Sequence, residues 1–279
     1  MRKITTEMIE AFGQHLINEE RAQATVGKYL HDVGEFRQWL GDREFGKPEV
    51  VAYKACLCQR YAPASVNAAL SSLNSFFSFM EWYDLRVKNL KIQRQIFASE
   101  DRELTKGEYD RLLQAAKQKK NERLYLLMQT ICSTGIRVSE VRDITVEAVG
   151  RGVAEINCKG KRRQVFLPSQ LCRILKRYIR ERNIKSGSVF VTRSGNPLDR
   201  SNIWSDMKKL CRAANVSEGK VFPHNLRHLF ARTYYSLQKD VVRLADILGH
   251  SSVNTTRIYT MESGETHRRQ IQKLGLLRC

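Results

Sequence analysis

The chain has 279 residues, of which 48 are Lys or Arg and 29 Asp or Glu, a formal net charge of +19 at pH 7. With 42% hydrophobic and 28% charged residues, it has the composition of a folded protein rather than of a collagen, a coiled coil or a disordered chain, and its length suits one large domain or two ordinary ones. No apolar run approaches the ~20 residues of a membrane span and Met1 to Glu7 lack the apolar stretch of a signal peptide, so the expectation is a cytoplasmic protein with no membrane partner, and the positive surplus asks for a polyanion.

Thr5 to Asn18 reads as a first helix, and Val26, Tyr29, Leu30, Val33, Phe36 and Leu40, three and four apart behind a Thr25 cap, as a second. Pro48 to Tyr61 is a third. Pro63, with Val66, Ala69, Leu70, Leu73, Phe76, Phe77 and Met80 on one face, opens a fourth. Together they make a small helical unit with no strand pattern. Arg86 to Arg102 is polar and aperiodic, as a connector should be, and it divides the chain near residue 95 into a helical domain at 1–90, a linker at 91–102 and a second domain at 103–279. Charge divides there too: residues 1–100 hold 13 basic and 12 acidic groups, residues 101–279 hold 35 and 17.

The second domain opens with helices at Lys106 to Gln118 and Glu122 to Ser133, stops at Gly135 and restarts as a short helix at Arg137. From Gly152 to Pro168, Val153, Ile156, Val165 and Leu167 flank the basic turn Lys159-Gly160-Lys161-Arg162, a β-hairpin pattern. Helices follow at Leu171 to Arg182, Ser201 to Ala214, Asn225 to Leu237, Val241 to Leu248 and Ser252 to Thr260, with a short extended piece at Val189 to Val191. The fold class is mainly α with one small β-hairpin, in two domains. Seven cysteines, at 56, 58, 132, 158, 172, 211 and 279, show neither zinc spacing nor a disulfide framework, so reduced, mostly buried thiols and no metal are expected.

Arg151 to Lys185 carries 11 Lys/Arg against Glu155 and Glu181. Such a run is ordinarily a solvated face, but here the charges sit on a hairpin turn and on successive turns of the next helix, which can follow a phosphate backbone. Lys161, Arg162 and Arg163 are the candidate nucleic-acid contacts. Arg137 stands at a helix start, where a positive charge opposes the helix dipole unless an anion is near, and Glu140 lies one turn along to hold the guanidinium. His224 and Arg227 share one face at another helix start. Leu248-Gly249-His250 ends a helix, and Tyr259 follows on a separate short one.

Thr134-Gly135-Ile136-Arg137-Val138-Ser139-Glu140-Val141, Lys159 in a basic hairpin, His224-x-x-Arg227, Leu248-Gly249-His250-Ser251-Ser252 and Thr256-x-x-Tyr259 together resemble the tyrosine site-specific recombinases, the family of phage integrases and Xer-type resolvases. The resemblance covers nearly the whole chain, with 1–90 similar to the family's helical core-binding domain and 103–279 to its mixed α/β catalytic domain. It implies Arg137, Lys159, His224, Arg227, His250 and Tyr259 as catalytic residues, Tyr259 as nucleophile and Glu140 as the supporting acid. Lys161, on the same turn, stays open as the alternative to Lys159. Two guanidiniums and imidazole donors can stabilise a pentacoordinate phosphate without a metal, so no cofactor is expected.

The resemblance also implies duplex DNA with paired recombination sites as substrate, a homotetramer in the synaptic complex, a nucleoid-associated bacterial setting and room for an accessory directionality factor. The helical domain begins almost at Met1, which fits a simple recombinase without an arm-site domain. Ser263 to Cys279 resembles the terminal helix that members donate to a neighbour, with Leu274, Leu276 and Leu277 as anchors; packing on its own subunit stays open. Integration, excision, inversion and resolution are not distinguished. A type IB topoisomerase, with similar chemistry, and a non-enzymatic DNA-binding regulator are the competing classes.

The concentrated charge generates a test. Affinity for duplex DNA should fall steeply with salt, about 0.9 in log–log slope for each phosphate neutralised. A binding titration over increasing salt measures it, and a nearly flat slope would contradict the charge reading.

Overall fold

Thr5 sets the first helix: its hydroxyl accepts from the Met8 N–H and α1 (Thr6–Asn18) follows. The computed structural model describes residues 2–92, 102–158, 161–259 and 272–274, without the side chains of Cys158 and Lys161. α2 (Gln23–Leu40) starts earlier than its sequence cap, because the Ala22 carbonyl already accepts from the Thr25 and Val26 N–H groups at 2.7 and 3.1 Å. Thr25 therefore lies inside the first turn. α3 (Lys47–Arg60) is capped at Gly46, whose N–H donates to the Glu49 carboxylate at 2.7 Å, and α4 (Pro63–Phe79) begins on its proline.

The apolar faces of these helices meet in an aromatic core of Phe12, Phe36, Phe45, Phe76 and Phe77, all buried. Phe12 stands edge-on to Phe76 with centroids 5.4 Å apart. One charge lies inside: the Asp32 carboxylate of α2 accepts from the Ser72 hydroxyl of α4 at 2.7 Å and pairs with Lys28, so its burial is compensated. The chain forms two compact units, Met1–Arg94 and Gln95–Cys279. Much of the expected linker, 93–101, is outside the described residues.

In the second unit, α5 (Lys106–Gln118) begins with a reciprocal Thr105–Glu108 box, and α6 (Glu122–Thr134) buries Leu124, Leu126, Leu127, Met128 and Ile131. The restart expected at Arg137 is a 3₁₀ turn, Val138–Asp143, followed by a short helix α7 (Val146–Arg151) that periodicity did not single out. β1 (Val153–Cys158) and β2 (Lys161–Phe166) form an antiparallel hairpin with Ile156 opposite Arg163 and Cys158 opposite Lys161. After α8 (Ser169–Glu181), the helix read as Ser201 to Ala214 divides into α9 (Arg200–Lys208) and α10 (Cys211–Ala214). A tightened turn, with the Leu210 N–H on the Met207 carbonyl at 3.0 Å, separates them.

Among the described residues the piece at Val189 to Val191 joins no sheet; isolated bridges at or beside it pair Thr145 with Ser188 and Val191 with Pro197. α11 (Pro223–Gln238) packs on α6; then come α12 (Val241–Leu248), α13 (Val253–Thr256) and a 3₁₀ turn, Arg257–Tyr259. Among the described cysteines, Cys172 and Cys211 are buried, Cys56 and Cys132 half-buried and Cys58 exposed, so for these five the expectation of mostly buried thiols does not hold; the Cys158 side chain and Cys279 lie outside the described residues. Among the described residues no helix is long and apolar enough to cross a membrane.

Phe36 touches Phe45, Tyr53 and Phe77 at once. Phe36→Ala should cost about 3–5 kcal/mol in the unfolding transition of the first unit, measured by urea titration of the full chain, and leave the transition of the second unit in place.

Candidate active site

Every carbonyl at the C-terminus of α12 has a partner. The Gly249 N–H bonds the Asp246 carbonyl and the His250 N–H the Ala245 carbonyl, both at 3.0 Å, with Gly249 in the left-handed conformation at φ 64°. The next three carbonyls each accept from a different arginine: Ile247 from Arg163 Nη1 at 2.7 Å, Leu248 from Arg227 Nη2 at 2.8 Å and Gly249 from Arg137 Nη2 at 3.1 Å. Three cations thus converge on the negative end of one short helix.

Glu140 organises two of them. Its Oε1 accepts from Arg137 Nη1 at 2.8 Å; its Oε2 accepts from the Arg137 backbone N–H at 2.7 Å and from Arg163 Nη2 at 2.6 Å. Burial works to raise this carboxyl, but the Arg137 N–H and guanidinium and the charge of Arg163 outweigh it and hold it below its ordinary range. Arg137 keeps part of its side chain at the surface, whereas Glu140 is buried.

Arg227 sits deeper, 1% exposed, with Nη1 on the Gly135 carbonyl at 2.6 Å and Nη2 also 3.0 Å from His250 Nε2. Since a guanidinium only donates, His250 Nε2 accepts there and its Nδ1–H, 2.8 Å away, donates to Thr256 Oγ1. Burial and then Arg137 pull the Arg227 guanidinium down to about 10. Gly135 permits this approach: it sits at φ 66°, and a Cβ there would stand 2.4 Å from Phe230 Cδ1.

Tyr259, 4% exposed, shares a small cluster with Ala231, Leu244 and Leu248. Its ring stacks near His250 at 6.1 Å and meets His228 edge-on at 4.9 Å; His228 in turn is 4.5 Å from His224. Burial raises the Tyr259 hydroxyl above its ordinary value, although the charge of Arg227, a hydrogen bond from it and the charge of Arg137 act the other way. His250 is pushed down to about 4 by burial and then by Arg227, Arg137, Arg163 and His224. His228 is also pushed down to about 4, by burial and then by His224, Arg232 and Arg227. His224, exposed at the start of α11, is lowered by partial desolvation and then by Arg227, Arg137 and Arg200.

Arg137, Glu140, His224, Arg227, His250 and Tyr259, far apart in sequence, therefore meet around one helix end. Arg162 lies on the exposed face of β2, away from this centre. Arg163, grouped in the sequence with Lys161 and Arg162 as a candidate nucleic-acid contact, does not: with side chain 17% exposed and guanidinium engaged by Glu140 and Ile247, it faces inward. Strand parity carried the signal, since Arg163 alternates in step with Val165 and Leu167. Lys159 and the Lys161 side chain lie outside the described residues, as does 263–279 apart from 272–274. His228 and Thr256 had no assigned role in sequence; only the fold shows what they touch. Among the described residues no group of three His, Cys, Asp or Glu could hold a metal ion.

The chain matches the family model described as Phage integrase family over residues 102–265, and that of the phage integrase N-terminal SAM-like domain over 9–83. It is 26% identical to tyrosine recombinase XerA of Pyrococcus furiosus, across 99% of this chain and 96% of the relative. A lambda integrase dimer bound to a COC′ core site superposes with a TM-score of 0.76 at 18% identity, over 93% of this chain and 96% of that one. XerH bound to its difH substrate gives 0.70 at 19% identity, over 96% and 85%. At these identities the two structures establish the common fold.

The half-buried His228 and His250 set a pH dependence. Each has a folded value of about 4 against an ordinary 6.5, so between these limits the unfolded chain binds more protons and stability falls as pH drops. Urea titrations from pH 7 to pH 4.5 should show this loss, and His228→Asn should have the shallower slope.

Proposed function

This chain belongs to the phage integrase family and is a tyrosine recombinase that breaks and rejoins DNA strands, and we propose that Tyr259 is the nucleophile toward a phosphodiester held by Arg137 and Arg227. The observation that carries this reading is the convergence of both guanidiniums, His250 and the Tyr259 ring on the end of α12. The Tyr259 oxygen bonds to phosphorus as the bond to the 5′-oxygen breaks, giving a 3′-phosphotyrosine and, once protonated, a 5′-hydroxyl. Because the phosphodiester energy is kept in the protein link, attack by a 5′-hydroxyl from a partner strand rejoins DNA without ATP. Exchange of strands between two sites then passes through a Holliday junction.

The roles follow from the environments. Arg137 and Arg227 stabilise charge on the non-bridging oxygens, and Glu140 fixes Arg137 for that task. Tyr259 rests protonated, so it needs a base; His224, at the start of α11 and lowered by desolvation and then by its cationic neighbours, accepts the proton. With its ring proton on Nε2, His250 donates to a phosphate oxygen in place of the contact with Arg227, while Nδ1 accepts from the Thr256 hydroxyl. Lys159 protonates the leaving 5′-oxygen, with Lys161 as the alternative on the same turn, while Arg162 meets the DNA backbone. With Tyr259 and Arg227 nearly closed to solvent, DNA engagement must open the site before attack.

The neighbour with a dimer on one core site supports two copies per site and a homotetramer when two sites pair, acting on nucleoid DNA in the cytoplasm. Domains at 1–90 and 103–279 would then grip the duplex through the linker at 91–102. Recombination is favoured over topoisomerase action and over a binding-only regulator, because both domain models belong to integrases.

Tyr259→Phe removes one oxygen and keeps the packed ring. DNA affinity should be unchanged while the covalent adduct on a nicked suicide substrate disappears. Peptide mapping of the wild-type adduct checks the position; an adduct on Tyr234 or Tyr235, or one persisting in Tyr259→Phe, overturns the assignment.

A further inference from the structure

Arg163 stands on the second strand of the hairpin, yet its guanidinium reaches inward to two partners of the active centre. Nη2 donates to Glu140 Oε2 at 2.6 Å and Nη1 to the Ile247 carbonyl at 2.7 Å. Glu140 also supports Arg137, holding its Nη1 and its backbone N–H, and Gly249, two residues beyond Ile247 on the same helix end, holds its Nη2. Arg163 therefore grips both ends of the cradle in which Arg137 lies. The fit is close, because a Cβ on Gly249 would stand 2.5 Å from Arg163 Cδ and 2.7 Å from its Nε. A solvated DNA-contacting arginine would need neither such enclosure nor a glycine opposite its stem.

We infer that Arg163 is a positioning residue for strand cleavage, fixing the Arg137 guanidinium by bracing Glu140 against the end of α12. This rests on the reading of Arg137 and Tyr259 given above. Without Arg163, Glu140 Oε2 keeps a single N–H donor and the Ile247 carbonyl loses its side-chain partner, so the carboxylate and the Gly249 turn are free to drift apart. Arg137 contacts both, and its guanidinium is displaced. Lysine cannot restore the bridge, since its single nitrogen does not reproduce a fork whose two nitrogens serve separate acceptors. The hairpin is thereby tied mechanically to the active centre as well as to the duplex.

The experiment measures single-turnover adduct formation on a nicked suicide substrate at saturating protein, alongside duplex affinity, its salt slope and thermal unfolding. Arg163→Met should slow adduct formation by roughly 10- to 100-fold, the scale of a displaced catalytic group, while affinity and salt slope hold. Arg163→Lys should recover only part of the rate, and it carries the same readout should Arg163→Met fail to fold. In a double-mutant cycle, Glu140→Gln added to either variant should slow cleavage by much less than the product of the single effects, because both act through Arg137. Lost affinity with an intact cleavage rate makes Arg163 a DNA clamp and overturns the inference. So does lower thermal stability with an unchanged rate, or multiplicative effects in the cycle. A wild-type chain that forms no tyrosine adduct overturns the underlying reading and this inference together.

Discussion

The end of α12 is the constraint around which the catalytic unit is arranged. A helix ending inside a protein leaves carbonyls that must find donors, and here two are closed by the Gly249 and His250 N–H groups while Arg163, Arg227 and Arg137 take the next three. These arginines come from the hairpin, from α11 and from the turn after α6. A demand of backbone hydrogen bonding thus brings distant segments into register, and the chemistry uses the register so obtained.

Gathering cations has an electrostatic consequence. Arg137, Arg163 and Arg227 surround a single buried carboxylate, Glu140, so the centre keeps an excess of positive charge when no DNA is present. Burial first, and the neighbouring cations after it, disfavour further charge here: His228 and His250 are pushed down to about 4 and even the Arg227 guanidinium is lowered to about 10. An incoming phosphate relieves this repulsion, and a transition state with more negative charge relieves it further. The Tyr259 hydroxyl lies in the same balance, raised by burial and lowered by the two arginines.

Two left-handed glycines make the geometry possible. Gly135 ends α6 and turns its carbonyl toward Arg227; Gly249 ends α12 and turns its own toward Arg137. At each position a side chain would meet a neighbour, Phe230 in one case and Arg163 in the other, so the local conformation and the tight packing ask for the same residue.

Amphipathic spacing made α1, α3, α4, α5, α6, α8, α11 and α12 legible in the sequence to within a few residues, because each buries one face and polar caps mark many of their ends. Short elements were less visible: α7 and the 3₁₀ turn after Arg137 are too brief for a period, and the break between α9 and α10 is made by local tightening without Gly or Pro. The residue types of the centre, Arg137, His224, Arg227, His250 and Tyr259, and their family pattern were present in the sequence, since chemistry limits which side chains can serve a phosphate. What the sequence carried only in part, through strand parity, was the division of labour among like residues. Arg162 and Arg163 are adjacent and identical, yet one faces solvent and the other binds Glu140 and Ile247. Strand parity and the place where α12 ends decide which is which, and that place is set only when the helices pack.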